Sequence, residues 1–169
     1  MNQNEFISLV SPFKEKVYRL AKRLLISREE AEDATQEILV KLWNKNSDLS
    51  TFKSLEAFAM TITKNYCLDQ LKSKRGGNIT LNDTDFKSSD SGLEKRVEDY
   101  DSLYWVERCI NKLPMQQRII IQLRDIEQYD FEEMAKILDL SESTIRVSLS
   151  RARKEVRGFM IKAHNYGIK

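Results

Sequence analysis

Histidine occurs once in the 169 residues, at His164, and cysteine twice, at Cys67 and Cys109, far apart and with no pairing pattern. Metal cages take their ligands at close, repeated spacings and Cys/His catalysis needs both residue types together, so neither chemistry is supported and the cysteines read as reduced structural residues. Gly76 and Gly77 are the only adjacent glycines, and they follow a basic helix end where a phosphate-cradling loop would follow a strand. No stretch approaches the roughly 20 apolar residues that span a bilayer, and the start MNQNEFISLV has no cationic lead into an apolar run. The expectation is a soluble cytoplasmic protein with no membrane insertion of its own. Scattered carboxylates such as Asp33, Glu37 and Asp69 make no convergent constellation, so a non-enzyme without metal or cofactor is expected.

Net charge is also small, only +2, because 28 basic residues nearly balance 26 acidic ones, yet locally charge is segregated. From Gly76 to Asp101 stand three basic and seven acidic residues, a net of −4, whereas Glu142 to Lys169 carries seven basic and two acidic, a net of +5. A balanced sum thus hides opposed local fields. Strand-like alternation is missing over any useful length, and helical periodicity dominates. The spacing predicts an all-α fold of two small helical domains joined by a flexible acidic linker, the second a helix-turn-helix domain of winged-helix-like four-helix type.

Pro12 is read as a break between a short first helix and a second that buries Val17, Leu20, Ala21, Leu24 and Leu25. Ser27 with Glu30 gives the S-x-x-E start of a third helix reaching about Trp43, and a long helix runs from about Ser54 to Lys74. The stretch after Arg75, rich in Ser, Gly and Asp and poor in large apolar residues, cannot bury enough surface to fold alone and is read as a linker. Beyond it come a helix to about Lys112, a stop at Leu113 and Pro114, and a helix from about Met115 to Asp125.

The segment Asp130 to Lys154, DFEEMAKILDLSESTIRVSLSRARK, reads as helix, three-residue turn and second helix. Asp130 with Glu133 fits a capping box, Phe131, Met134, Ala135 and Leu138 share one face, Asp139 tolerates a left-handed turn position, and Ser141 caps the second helix. In that helix Ile145, Leu149, Ala152 and Val156 face the core, which sends Ser143, Val147, Ser150, Arg151 and Lys154 outward with Arg146 and Ser148 on the flanks. Small side chains among long cations suit a helix in the DNA major groove. The same pattern also describes an ordinary solvated amphipathic helix.

Two further surfaces stand out. In the third helix Ala31, Ala34, Ile38 and Leu42 form the core stripe, leaving Asp33, Gln36, Glu37 and Val40 opposite, either a solvated face or a protein-docking surface with an apolar centre. On the long helix Lys64, Lys72, Lys74 and Arg75 make a cationic strip near Phe52, Phe58 and Tyr66. Cations and rings together suit single-stranded DNA, although Phe58, Ile62 and Tyr66 could equally be core, and their i, i+4 spacing favours the core for each ring taken singly.

Together these segments resemble the sigma-70 family of bacterial transcription initiation factors, and specifically its small extracytoplasmic-function type (group 4). SREEAEDATQEILVKLW is similar to the family's region 2.2, whose D-x-x-Q-E pattern falls here on Asp33, Gln36 and Glu37, the outward residues. FAMTITKNYCLDQLKSKR resembles the minus-10 reading segment at Ile62, Asn65 and Asp69, and the loop 46–53 corresponds to the pocket for a flipped base. Leu113, Pro114, Gln117 and Arg118 match the L-P-x-x-x-R opening of region 4, and LSESTIRVSLSRAR its minus-35 recognition helix.

The resemblance implies sigma region 2 over 1–75, a linker over 76–97 and region 4 over 98–169. It implies docking of Asp33, Gln36, Glu37 and Val40 on the β′ clamp helices of core RNA polymerase, with the β flap as a further contact of the chain. Minus-10 contacts then come from Lys64, Lys72, Lys74 and Arg75. Minus-35 reading comes from Arg146, Val147, Ser148, Ser150, Arg151 and Lys154, with Arg124 on a phosphate. A partner anti-sigma factor is implied too. The linker's acidity fits a nucleic-acid mimic in a basic channel or a merely solvated tether. Ser148, Val147 and Asp139 stand where the family often has Arg, Ser and Gly, and Phe58 where it usually has Trp, so no promoter sequence carries over. The alternatives are a conventional helix-turn-helix regulator, binding duplex DNA alone as a dimer on paired half-sites, and a helical enzyme. Two separate motifs joined by a linker favour the promoter-recognition subunit.

Overall fold

A computed structural model describes residues 1–74 and 102–166. Arg75 and the whole acidic segment assigned to the linker lie outside the described residues. Every regular element described is helical, as the periodicity predicts.

Helix α1 (Gln3–Leu25) runs unbroken through Pro12, which corrects the expected break. Asn2 starts it with a reciprocal capping box to Glu5, at 2.9 Å in each direction. Phe6, Val10, Phe13, Val17, Leu20 and Leu24 then form one buried stripe across the proline. Pro12 removes one helical N–H, but Ser8, Ser11 and Pro12 all face solvent, where water can take the carbonyl that this leaves. A continuous buried face on both sides of an exposed proline outweighs the lost hydrogen bond.

The helix stops abruptly at Ile26, whose φ of 67° is a left-handed value that a β-branched residue rarely adopts. Ser27 N–H donates to Leu25 C=O at 2.7 Å, closing a three-residue turn. Ser27 caps α2 (Arg28–Asn44) by accepting from Glu30 N–H at 3.2 Å. The Glu30 side chain pairs with Lys74, at the end of α3 (Leu55–Lys74). Ala31, Ala34, Ile38 and Leu42 are buried against α1 and α3 as their spacing predicts. Each fully buried Leu or Ile in this group contributes about 1.5–3 kcal/mol from removed apolar surface.

Helices α4 (Ser102–Asn111), α5 (Met115–Ile121), α6 (Phe131–Leu138) and α7 (Glu142–Tyr166) pack around Ile119, Ile120, Leu123, Met134, Ile145 and Ala152. Arg118, from the family-like L-P-x-x-x-R match, is fully buried and donates to Leu113 C=O at 2.9 Å, fixing the α4–α5 corner. The helix predicted to reach Asp125 changes character at Gln122, where a π turn spans Gln122–Ile126. Asp139 adopts the left-handed conformation (φ 53°, ψ 48°) between α6 and α7, and Ser141 Oγ accepts from Thr144 N–H at 3.1 Å. In α6, which packs against α3 as well as α7, the deepest residues are Met134 and Ile137, while Phe131, Ala135 and Leu138 are half-buried.

The two helix groups also pack on each other, α1 on α5 and α3 on α6, so the buried residues form one continuous cluster. Arg23, near the end of α1, is only 7% exposed and reaches across. Its guanidinium donates to Gln122 (2.8 Å), Asn111 (2.9 Å) and both carboxylate oxygens of Glu107 (2.8 and 3.0 Å).

Candidate polymerase and promoter surfaces

The outer face of α2 is exposed at Asp33, Gln36, Glu37 and Val40, the four expected positions, and Val40 keeps 52% of its surface. Gln36 borders a groove of about 620 Å³ between α1 and α2, which Lys14, Tyr18, Arg28 and Leu39 also line. At its other edge the face approaches Tyr66 of α3, whose phenol is pushed up by burial and then by the nearby Glu37, Cys67 and Asp33.

Tyr66 belongs to a second groove, of about 400 Å³, lined on α3 by Phe58, Ile62, Asn65, Tyr66 and Asp69 and on the α2 side by Lys41, Asn44 and Lys45. The rings are half-buried and pack against the core, whose fully buried members on this helix are Ala57, Ala59, Met60, Thr63, Cys67 and Leu71. Phe58 stacks on Phe52 at 4.3 Å with an interplanar angle of 18°, and Lys41 Nζ lies 5.8 Å from the Tyr66 ring centroid. The lining thus sets apolar and aromatic side chains beside two cations, Lys41 and Lys45, and one carboxylate, Asp69.

The expected minus-10 cations separate. By helical spacing Lys72 shares the face of Phe58, Asn65 and Asp69, and it is exposed. Lys74 is engaged with Glu30. Lys64 points the other way: its ammonium is half-buried, donates to the Ile137 carbonyl at 3.1 Å, and is lowered in pKa by that burial. Arg75 lies outside the described residues. The cations that do line the groove, Lys41 and Lys45, were missed because they stand at the end of α2, and only packing of α2 on α3 brings them beside the rings.

On α7 the predicted partition is found. Ile145, Leu149 and Ala152 are buried and Val156 is half-buried against the core, while Arg146, Val147, Ser150, Arg151 and Lys154 are exposed and Ser148 is half-exposed at the flank. Arg146 pairs with Glu142 one turn back at 3.3 Å. Arg153 instead holds Asp125 in a two-point contact at 3.0 and 2.5 Å, tying α7 to the π turn, and this partner raises its pKa. Arg124, the expected phosphate contact, is half-exposed and donates to Tyr129 C=O at 2.9 Å.

Comparison with known proteins matches the sigma-70 region 2 model over residues 9–76 and the sigma-70 region 4 model over residues 103–156. The chain belongs to the sigma-70 family, in its extracytoplasmic-function branch. The two region models fall on the two helix groups, α1–α3 and α4–α7. Among sigma-70 relatives, the chain is 30% identical over 161 residues to the ECF RNA polymerase sigma factor SigE of Mycolicibacterium smegmatis, covering 91% of this chain and 61% of that protein. It is 24% identical over 166 residues to SigW of Bacillus subtilis, covering 92% and 89%. The fold is similar to that of the sigma factor RpoE from Bartonella quintana, solved with the anti-sigma factor NepR, at a TM-score of 0.72 and 22% identity over 92% of this chain and 96% of that one. It is also similar to CnrH, solved with the cytosolic domain of CnrY, at a TM-score of 0.69 and 21% identity over 95% and 90%. No described helix is long and apolar enough to cross a membrane.

Proposed function

We propose that this protein is a promoter-specificity subunit, which docks on bacterial core RNA polymerase and directs it to promoters carrying two upstream elements. The observation that carries the reading is the presence in one chain of three surfaces of different chemistry: an exposed acidic face with an apolar centre on α2, an aromatic groove that Lys41 and Lys45 also line, and an exposed basic face on α7. A regulator that only reads duplex DNA has use for the last alone.

In this function Asp33, Gln36, Glu37 and Val40 meet the β′ clamp helices, with the carboxylates opposing cations and Val40 packing at the centre. Unstacked minus-10 bases enter the groove over Phe58, Ile62, Asn65 and Asp69, while Lys41, Lys45 and Lys72 follow the strand's phosphates. Arg146, Val147, Ser148, Ser150 and Arg151 read the minus-35 duplex, and Lys154 and Arg124 neutralise its backbone. The region spanning 98–169 also rests on the β flap. The chain supplies binding and positioning and leaves all bond chemistry to the polymerase, and its place of action is the bacterial cytoplasm. Solution of a structural neighbour with an anti-sigma factor supports assigning this chain a partner of that kind.

The test is reconstituted run-off transcription on genomic fragments with bacterial core polymerase, with and without this protein. Protein-dependent starts that share two upstream elements are the expected result. Failure of core polymerase to bind it or to gain specific initiation, with the protein alone protecting duplex DNA, would overturn the reading.

A further inference from the structure

Three elements converge on one ring. Phe131, the first residue of α6, has its ring centroid 4.5 Å from the guanidinium carbon of Arg124 in the π turn and 4.6 Å from that of Arg146 on α7. The ring is half-buried and both arginines reach solvent.

We propose that Phe131 is a positioning residue for minus-35 recognition, holding Arg124 and Arg146 as a preformed pair for the DNA. This rests on the reading of α7 as a duplex-binding helix and extends it to a residue whose own side chain touches no base. The guanidinium is a planar fork on a long flexible stem, and it binds phosphate or guanine well only when its plane is already fixed. The face of an aromatic ring fixes that plane through cation–π attraction and stacking. The other contacts complete the placement. Tyr129 C=O accepts from one end of Arg124 at 2.9 Å, Glu142 accepts from Arg146 at 3.3 Å, and Arg153 locks Asp125, the neighbour of Arg124, onto α7. Each guanidinium has five donors, and the hydrogen bonds named engage one nitrogen of each.

Gathering two cations around one ring costs Coulomb repulsion in the free protein. A phosphate arriving between or beside them removes that cost, so the arrangement is complementary to an anion before any anion is present. Neither the Phe131 contacts nor the role is visible as a local motif, since the two arginines stand 7 residues before and 15 after Phe131, on other elements.

The experiment compares wild type, Phe131→Leu and Phe131→Tyr, each full-length and assembled with core polymerase, on a promoter fragment mapped by the transcription assay. Equilibrium binding is measured across a salt series, with thermal melting alongside. Leu keeps an apolar side chain and removes the ring, whereas Tyr keeps the ring. Ordering two freed arginine side chains on binding corresponds to a roughly five- to tenfold weaker complex for Phe131→Leu. Its salt dependence should also be shallower, because loosely held arginines neutralise fewer phosphates. Phe131→Tyr should bind as wild type, and scrambling the upstream element should abolish the difference. Equal binding by Phe131→Leu and wild type would overturn the proposal, as would an equal loss in Phe131→Tyr. If Phe131→Leu melts below the assay temperature, Phe131→Met takes its place with the same expectations. Absence of upstream-element recognition by wild type itself would remove the underlying reading of α7, and the proposal with it, a result distinct from either variant's behaviour.

Discussion

Arg19 of α1 and Glu127 beyond the π turn meet in a two-point ion pair, with Nε and Nη2 donating to the two carboxylate oxygens at 2.8 and 2.7 Å. The carboxylate is 1% exposed while the guanidinium is 45% exposed, so the pair is a cation reaching in from solvent to a buried anion. Glu127 also accepts from Gln122 at 2.9 Å, and Gln122 accepts from Arg23, so one chain of hydrogen bonds joins the two helix groups. Hydrogen bonding to Glu127 raises the Arg19 pKa.

Arg19→Met should therefore destabilise the protein by about 1–2 kcal/mol, a range reduced from that of a fully buried pair because water reaches the arginine. Urea unfolding with a double-mutant cycle to Glu127→Gln measures the coupling. A double replacement, Arg19→Glu with Arg23→Glu, should separate the helix groups and enlarge the radius of gyration in solution scattering. An unchanged radius would show that apolar packing alone holds them.

Arg151→Ala removes a cation from the middle of the exposed face of α7. Promoter recognition should weaken by about 1–3 kcal/mol, as for loss of a good base or phosphate contact. Run-off transcription titrated with the variant reads the effect, and undiminished initiation would remove Arg151 from the interface.

Charge reversal by Asp33→Lys with Glu37→Lys should weaken binding to core polymerase by about tenfold or more, since like charges would then face each other across the contact. Duplex binding through α7 should persist. Parallel loss of both activities, with a lowered melting temperature, would indicate misfolding.

Lys64 and Lys41 make a direct contrast. Lys41 lines the aromatic groove, whereas Lys64 donates to Ile137 C=O on the opposite side of α3. Lys41→Ala should impair binding of single-stranded minus-10 DNA more than Lys64→Ala does, and anisotropy with a labelled strand decides between them.

Burial pushes the Cys67 thiol from 9.0 up to about 12. The folded state thus keeps a proton that the unfolded chain releases, so stability is fully present below pH 9 and falls as pH rises from 9 through about 12. Denaturant titrations over this window should show a smaller alkaline loss in Cys67→Ala. In native protein at neutral pH, Cys67 should resist alkylating reagents until the chain unfolds.

Much of this was legible in the sequence because the deciding signals were local. Helical spacing alone separated Ile38 from Glu37 and Leu149 from Arg151. Caps at Ser27, Asp130 and Ser141 marked helix starts because their partners are three residues away. The features that were not legible depend on contacts between distant segments. Pro12 was misread because a proline's cost is local whereas the stripe that overrides it spans the whole of α1. The burial of Arg23 needs Gln122, Glu107 and Asn111, and the orientation of Lys64 needs α6. The groove is likewise made by two helices, so neither Lys41 nor Lys45 announces it.

The corner at Asp139 bears on how such proteins are found. It takes a left-handed backbone conformation with a side chain present, where glycine would meet no steric cost. The cost of about 1–2 kcal/mol is tolerated because the packed helices on either side dictate the angle. A sequence filter that demands glycine at this corner would discard a chain whose helix-turn-helix is fully formed, so detection should weigh the flanking caps and apolar spacing above the identity of the turn residue.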